Sequence, residues 1–301
     1  MHSVLPSLKL PSSRLSTLFA LLATGLAVAL SNAVADNRID VAGEGPDVVL
    51  IPDVASDGTS LKPIADYLSR CYRTHALTLA GFAGQSATQE AQPVDWEQAI
   101  ADYIDHLDAR HAIVIGHGFG GFIGLKLAID HPALVQRLVI LDALPFRPAL
   151  TDANATAGSM SEQADAMRSS FIAQPPEAFR KSQQQALTAM TTHSEAVHVL
   201  LDWSLTSSRA AIAAANYALH ATDLRAAIAA VRSPTLVLVP WDTSAPEDTA
   251  TTLDKYRRQY RELREVQVHP IKGSRHFMTL DQPIATNWAI ERFLGSCSPA
   301  R

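Results

Sequence analysis

The residues whose types and spacing match a catalytic motif most closely lie in one glycine-rich turn, Gly116-His117-Gly118-Phe119-Gly120-Gly121. An apolar run at 112–115 precedes this turn, and an apolar helical pattern at 122–129 follows it. A buried strand, a tight turn and a helix are the setting in which the motif Gly-x-Ser-x-Gly, the nucleophile elbow, presents a reactive serine. Here a glycine, Gly118, stands at the serine position. Because glycine has no side chain, no covalent acyl intermediate can form on this residue.

The same turn fits a second motif, the dinucleotide-binding pattern Gly-x-Gly-x-x-Gly, through Gly116, Gly118 and Gly121. Asp142 ends the next predicted strand about 20 residues further on, where such folds place a ribose-binding acid. The pattern normally occupies the first strand-to-helix turn of its domain, but here two predicted strands come earlier. A dinucleotide site is therefore a remote alternative.

The elements that must position this turn follow from the apolar runs. Runs of four apolar or nearly apolar residues without alternation indicate strands buried on both faces, as in a parallel sheet. They alternate with helical patterns, which predicts βαβ units and a mostly parallel, doubly wound α/β sheet. The runs lie at 48–51, 76–79, 112–115, 138–141 and 236–239, with a weaker sixth at 266–269.

Only helical patterns occur between the fourth and fifth runs, at 161–173, 176–191, 194–205 and 208–219. This interval predicts a helical cap at 145–232, inserted into an α/β core formed by 36–144 and 233–301. Its methionines, Met160, Met167 and Met190, suit either the filling of gaps between helices or the lining of an apolar cleft.

The first 35 residues have the pattern of a signal peptide. Lys9 and Arg14 precede an apolar stretch at 15–30, and Ala33-Val34-Ala35 is a small-x-small cleavage site. The stretch is shorter than the roughly 20 residues that span a bilayer. We therefore expect export to the periplasm or the medium, with no stable membrane anchor after cleavage.

Charge and cysteine content narrow the classes of partner. The net charge is −5 and no Lys/Arg run occurs, which argues against a nucleic-acid partner. No His-Glu-x-x-His or Cys-x-x-Cys spacing is present, so no metal site is expected.

Cys71 and Cys297 each follow an amphipathic helical pattern, at 61–70 and 284–294. A Cys71–Cys297 disulfide can form if both helices lie on the same side of the sheet and run the same way; two free buried thiols are the alternative.

Taken in chain order, these motifs resemble the α/β-hydrolase fold family over nearly all of residues 40–295. The pieces are Val48-Val49-Leu50-Ile51-Pro52 before a loop, Gly81-Phe82-Ala83-Gly84-Gln85, the elbow, His131-Pro132, Asp142-Ala143-Leu144-Pro145-Phe146, the cap and Arg275-His276-Phe277-Met278. The order elbow, acid, histidine is that of this family's catalytic triad.

The resemblance implies roles for particular residues. His276 corresponds to the catalytic base, and the acid that orients it is either Asp142 or Asp242, since each follows a strand. The oxyanion site would lie around Asp53 and Val54, with Phe119 and His117 of the elbow. Asp53 replaces a glycine that the family usually has. A carboxylate roughly 5 Å from the oxyanion would repel it by about 3 kcal/mol at an effective dielectric of about 20; the alternative is that the Asp53 side chain points away to solvent. Gly118 and Asp53 together favour natural drift at the site, and an engineered loss of the nucleophile is the alternative.

The expected function is therefore that of an ester or acyl hydrolase whose nucleophile position is vacant. Such a protein has impaired activity or binds a small, largely apolar acyl-type ligand, and no cofactor is expected. The alternative is an active enzyme of hydrolase or lyase type that uses His276 and an aspartate as a non-covalent base dyad.

Overall fold

A seven-stranded sheet organises the part of the chain that the computed structural model describes, residues 37–87 and 95–295. The strand order is β1-β3-β2-β4-β5-β6-β7; β1 pairs antiparallel with β3, and the remaining pairs are parallel. The predicted mostly parallel, doubly wound α/β fold is confirmed. The strands are β1 (Arg38–Ala42), β2 (Asp47–Ile51), β3 (Arg73–Thr78), β4 (Ala112–His117), β5 (Val135–Leu141), β6 (Thr235–Trp241) and β7 (Val266–Lys272).

Ten α-helices accompany the sheet within the described residues. Several begin at side-chain caps: Asp95 accepts from the N–H of Gln98, and Ser208 accepts from that of Ala211. The helices are α1 (Lys62–Leu68), α2 (Trp96–Asp105), α3 (Phe119–Asp130), α4 (Ala157–Ala173), α5 (Pro176–Met190), α6 (Val197–Thr206), α7 (Arg209–Ala221), α8 (Thr249–Gln259), α9 (Met278–Asp281) and α10 (Pro283–Leu294).

Each central strand contributes to two apolar cores because alternate side chains point to opposite faces of a sheet. Val49 and Val114 join one core, in which residues of α2, α3 and α8 are buried. Leu50 and Ile115 join the other, with residues of α1 and α10. The central strands therefore read as continuous apolar runs, and they hold the loops at their carboxyl ends in fixed positions.

Strand β1 is absent from the sequence-based prediction. It is a half-exposed edge strand, Arg38-Ile39-Asp40-Val41-Ala42, whose apolar and charged residues alternate. Its signal is alternation over the four residues 38–41 rather than a continuous apolar run.

Between β5 and β6 the chain forms the helices α4 to α7 and short 3₁₀ segments at Arg147–Leu150, Ser194–Ala196 and Ala227–Ala230. We call residues 145–232 the cap segment. Its two main helix pairs are α4 with α7 and α5 with α6. The predicted helical patterns at 161–173, 176–191, 194–205 and 208–219 overlap these four helices.

Helices α1 and α10 pack against each other, as Asn287 of α10 donates to the carbonyl of Pro63 at 3.0 Å. Cys297, and with it the predicted disulfide with Cys71, lies outside the described residues, as does the predicted signal peptide at 1–35. No helix in the described ranges combines the length and apolar character needed to cross a membrane.

Candidate active site

The glycine-rich turn forms a sharp corner between β4 and α3. Gly118 lies at this corner with φ of 52° and ψ of −115°, a positive φ that favours glycine. A Cβ added to Gly116 would lie 2.2 Å from the carbonyl oxygen of Gly120, so the backbone closes tightly only because a glycine stands there. The turn thus has the form of a nucleophile elbow, and Gly118 lines a cavity at the carboxyl edge of the sheet.

The carboxylate of Asp53 fills the space that a side chain at position 118 would occupy. A Cβ on Gly118 would lie 2.1 Å from Asp53 Oδ1 and 2.4 Å from Asp53 Cγ. Asp53 Oδ1 accepts a hydrogen bond from the N–H of Phe119 at 2.6 Å, and Oδ2 lies 2.8 Å from His276 Nε2. The two substitutions are therefore complementary: the glycine leaves room for the carboxylate.

His276 is held on its other side by Asp142, whose Oδ2 lies 2.6 Å from His276 Nδ1. Asp142 follows β5 with a φ of 44°, a conformation that is uncommon for non-glycine residues and less so for aspartate. The Tyr256 hydroxyl of α8 donates to Asp142 Oδ1. One carboxylate thus faces each ring nitrogen of His276.

Asp242, the other candidate for the acid, does not contact His276. Its Oδ2 accepts from Arg275 Nε at 2.7 Å, and its Oδ1 accepts from the N–H and hydroxyl of Ser244. Burial opposes ionisation here, but these hydrogen bonds and the charge of Arg275 lower the pKa of Asp242. Of the two alternatives left open by the sequence, the structure brings only Asp142 to the histidine.

His276 is positively charged between its two aspartates. Burial by itself lowers the pKa of His276, but the charge of Asp53 and the hydrogen bonds with Asp142 and Asp53 outweigh it and raise the pKa to about 10. Burial likewise raises the pKa of each acid, and the charge and hydrogen bond of His276 more than reverse this effect, so both pKa values lie below the usual range. An imidazolium that donates from both nitrogens cannot act as a base. In this state His276 is an acid, and its positive charge holds the carboxylates of Asp53 and Asp142 in place.

The other residues expected around the oxyanion divide into two groups. The N–H of Phe119 faces the site, but it already binds Asp53, and Val54 lines a cavity beside that carboxylate. His117 is fully buried, and its Nε2 donates to the carbonyl of His276 at 2.9 Å. Burial, assisted by the charge of His276, lowers the pKa of His117 to about 4. His117 is therefore a neutral support beneath His276 rather than part of the ligand surface.

Two cavities adjoin the site. The larger, about 610 Å³, is lined by Gly118, Asp142 and His276 together with residues of the cap segment. The smaller, about 220 Å³, is lined by Asp53 and mainly apolar residues. Arg147, Met190 and Leu219 line both. Ligands held here would contact the cap segment and the Asp53–His276–Asp142 cluster at the same time.

Sequence reasoning did not identify Tyr256 or Arg147. Tyr256 lies in an amphipathic helix and carries no motif, so only the contact with Asp142 reveals it. Arg147 directly follows the family-like Asp142-to-Phe146 run, and its guanidinium makes no ion pair or hydrogen bond to any described residue. The described ranges contain no cluster of acidic, histidine or cysteine side chains able to hold a metal ion.

Comparison with known proteins agrees with this architecture. Residues 48–287 match the alpha/beta hydrolase family. The pimeloyl-(acyl-carrier protein) methyl ester esterase of Vibrio cholerae is 31 % identical over 105 residues, which is 35 % of this chain and 40 % of the esterase. The homoserine O-acetyltransferase of Thermus thermophilus is 36 % identical over 83 residues, 26 % of this chain and 22 % of that enzyme. The matches thus span about two fifths or less of these relatives.

Solved structures agree in fold over a much longer range. The enol-lactonase of Burkholderia xenovorans LB400 superimposes with a TM-score of 0.68 and 17 % identity, covering 86 % of this chain and 96 % of the lactonase. A thermophilic esterase from Thermogutta terrifontis has a TM-score of 0.68 and 19 % identity, covering 86 % and 92 %. At these identities the similarity shows the fold alone. Together with the family match over residues 48–287, it places the chain in the alpha/beta hydrolase family.

Proposed function

We propose that this protein is an exported member of its family that takes up a small, largely apolar acyl-type molecule beneath the cap segment and forms no serine acyl-enzyme. The absence of a serine acyl-enzyme rests on one observation: the Asp53 carboxylate occupies the space of a side chain at position 118. The esterase of Vibrio cholerae among the relatives supports the acyl class. Met190, Leu187 and Leu219, which line the cavities, support the apolar character.

The alternative of a base dyad receives less support from the site. A base must first be unprotonated, whereas Asp53 and Asp142 raise the pKa of His276 to about 10. At neutral pH the imidazole holds its proton for as long as Asp53 remains an anion. Proton abstraction by His276 therefore requires that Asp53 first lose its charge.

The dinucleotide alternative also receives little support. Such folds place a pyrophosphate at the N-terminus of the helix that follows the glycine-rich turn. Here the N–H of Phe119, in the first turn of α3, already binds the Asp53 carboxylate, which would repel a phosphate. Asp142, the expected ribose ligand, is bound to His276.

Ligand uptake is tested by calorimetry with methyl hexanoate. We expect saturable binding to the unmodified chain and no labelling of that chain by a fluorophosphonate probe. Met190→Trp should reduce the affinity at least about 10-fold, because a larger side chain replaces one that lines both cavities. Ile172→Trp, at a cap residue that is 57 % exposed, is the matched control and should bind normally. Fluorophosphonate labelling of the unmodified chain, or equal affinity in the two tryptophan variants, would contradict the proposal.

Export is tested by expressing the full chain in a Gram-negative bacterium and determining the intact mass of the periplasmic protein. The small-x-small site at Ala33-Val34-Ala35 predicts a mature chain that begins at Asp36. Retention of the uncleaved chain in the cytoplasm would refute this part.

A further inference from the structure

Asp53 has the contacts of a reactive group rather than of a surface carboxylate. Its side chain is 12 % exposed and lines the smaller cavity with Val54, Leu187 and Met190. Oδ1 is fixed by the N–H of Phe119, and Oδ2 by His276. The group thus faces an apolar cavity, at the place where the elbow would otherwise present a hydroxyl.

We propose that Asp53 is the nucleophile of this site and that its substrate is an acyl-type molecule with an anionic leaving group, such as a halide, on a saturated carbon. This inference rests on the proposed uptake of an acyl-type ligand and names the class of that ligand. Attack would come from Asp53 Oδ2, the oxygen that faces His276.

The hydrogen bond to Phe119 decides between attack at a carbonyl carbon and attack at a saturated carbon. Attack on an ester carbonyl creates an oxyanion on the substrate, which needs a free N–H donor. The Phe119 donor is already bound to Asp53 itself. Displacement at a saturated carbon creates no oxyanion and leaves that hydrogen bond intact.

The first step forms a bond between Asp53 Oδ2 and the saturated carbon as the bond from that carbon to the leaving group breaks. The leaving group departs with the electron pair as an anion and takes no proton. Arg147 is suited to receive it, since this cation lines both cavities and is unpaired among the described residues. The product of the step is an ester of Asp53.

Esterification removes the negative charge that opposes deprotonation of His276. The charge of Asp53 is the largest of the influences that raise the pKa of His276, so its loss lowers the pKa and lets Nε2 release its proton to solvent. Asp142 remains on Nδ1 and orients the neutral ring. The first step therefore converts His276 from an acid into a base.

The second step uses this base to hydrolyse the ester. Water adds to Asp53 Cγ and gives a proton to His276 Nε2, while the oxyanion that develops on Oδ1 is held by the N–H of Phe119. Collapse breaks the bond from Cγ to the alkoxy oxygen, which takes the proton from Nε2 and leaves as an alcohol. The new carboxylic acid returns its proton to His276. Overall, substrate and water give an alcohol, the leaving anion and one proton.

The test uses methyl 2-bromohexanoate and the full-length protein in H₂¹⁸O. We expect bromide release above the uncatalysed rate, and ¹⁸O in the Asp53-containing peptide after one turnover. Asp53→Asn should lower bromide release by about 10³-fold or more. Asp202→Asn, on an exposed part of α6, is the matched control and should keep the full rate. His276→Gln should still be alkylated but accumulate the Asp53 ester, which intact mass reports.

Each of the opposite results overturns the inference: no bromide release above background, undiminished release in Asp53→Asn, or release without ¹⁸O in the Asp53 peptide. Failure here is separable from failure of the proposed function. A chain that binds methyl hexanoate without incorporating ¹⁸O loses only the inference, whereas a chain that does not bind methyl hexanoate loses both.

Discussion

The double variant Gly118→Ser/Asp53→Gly is expected to hydrolyse 4-nitrophenyl butyrate at least about 10³-fold faster than the unmodified chain, and Gly118→Ser alone is not. The effect of supplying a nucleophile on an otherwise intact serine site reaches about 10⁶ in turnover. The single variant should fail because the serine Cβ would lie 2.1 Å from Asp53 Oδ1. Its side chain and the carboxylate cannot occupy the same space.

Removing Asp53 acts on three parts of the site at once. It clears the space next to His276 Nε2, where the serine hydroxyl must lie. It frees the N–H of Phe119 for an oxyanion. It also removes the largest influence that keeps the pKa of His276 raised, so that the ring can accept the serine proton while Asp142 holds its other side.

Two measurements and one control variant test this prediction. Initial rates on the aryl ester are compared with labelling by a fluorophosphonate probe, which reports the serine hydroxyl directly. Gly118→Ala/Asp53→Gly has the same room and lacks only the hydroxyl, so it should show neither hydrolysis nor labelling. Equal rates for Gly118→Ser and the double variant would show that Asp53 does not block the serine.

The central strands were predictable because burial on both faces produces continuous apolar runs, which are visible in a single sequence. The helices between β5 and β6 were predictable because that interval shows only helical patterns. Strand β1 carries no continuous apolar run because it is a half-exposed strand at the edge of the sheet, paired only with β3. Asp142 and His276 came from the order of motifs along the chain. Asp242 is an equally good candidate in sequence, and only the position of Arg275 shows that its carboxylate is already engaged.

The position of Asp53 required the register of two strands. Ile51 of β2 pairs with Gly116 of β4, so Asp53 and Gly118 both lie two residues beyond a paired position on neighbouring parallel strands. A sequence shows an added carboxylate and a missing serine as two separate departures. The register brings both to one place, where they form a matched pair.

His276→Gln is expected to cause the largest loss of stability among single substitutions in the site, about 3–5 kcal/mol near neutral pH. The imidazolium separates the carboxylates of Asp53 and Asp142, and both side chains are largely buried. Without it, two negative charges face each other with little solvent. The measurement is the free energy of unfolding in urea, with His193→Gln, at an exposed residue of the cap segment, as the control that should change little.

The way in which the free energy of unfolding depends on pH distinguishes this charge effect from a simple loss of packing. The pKa of His276 is raised from 6.5 to about 10, so its stabilising contribution is complete below about pH 6.5 and is lost as the pH rises toward 10. The pKa values of Asp53 and Asp142 are lowered from 3.8, so their contributions are complete above about pH 4 and are lost on further acidification. The unmodified chain should therefore be most stable between about pH 4 and 6.5.

His276→Gln should change the shape of the curve of unfolding free energy against pH, rather than lower the curve by the same amount at every pH. Without the cation, burial and mutual repulsion raise the pKa of the two carboxyl groups, so the variant loses stability as the pH rises above about 4 and becomes insensitive to pH once both groups are ionised. Between about pH 7.5 and 9.5 the unmodified chain should still lose stability while the variant stays level. Adding Asp53→Asn to His276→Gln removes one of the two facing charges and should restore part of the lost stability. Parallel profiles for the unmodified chain and His276→Gln, with no recovery in the double variant, would mean that the imidazole contributes by packing and not by its charge.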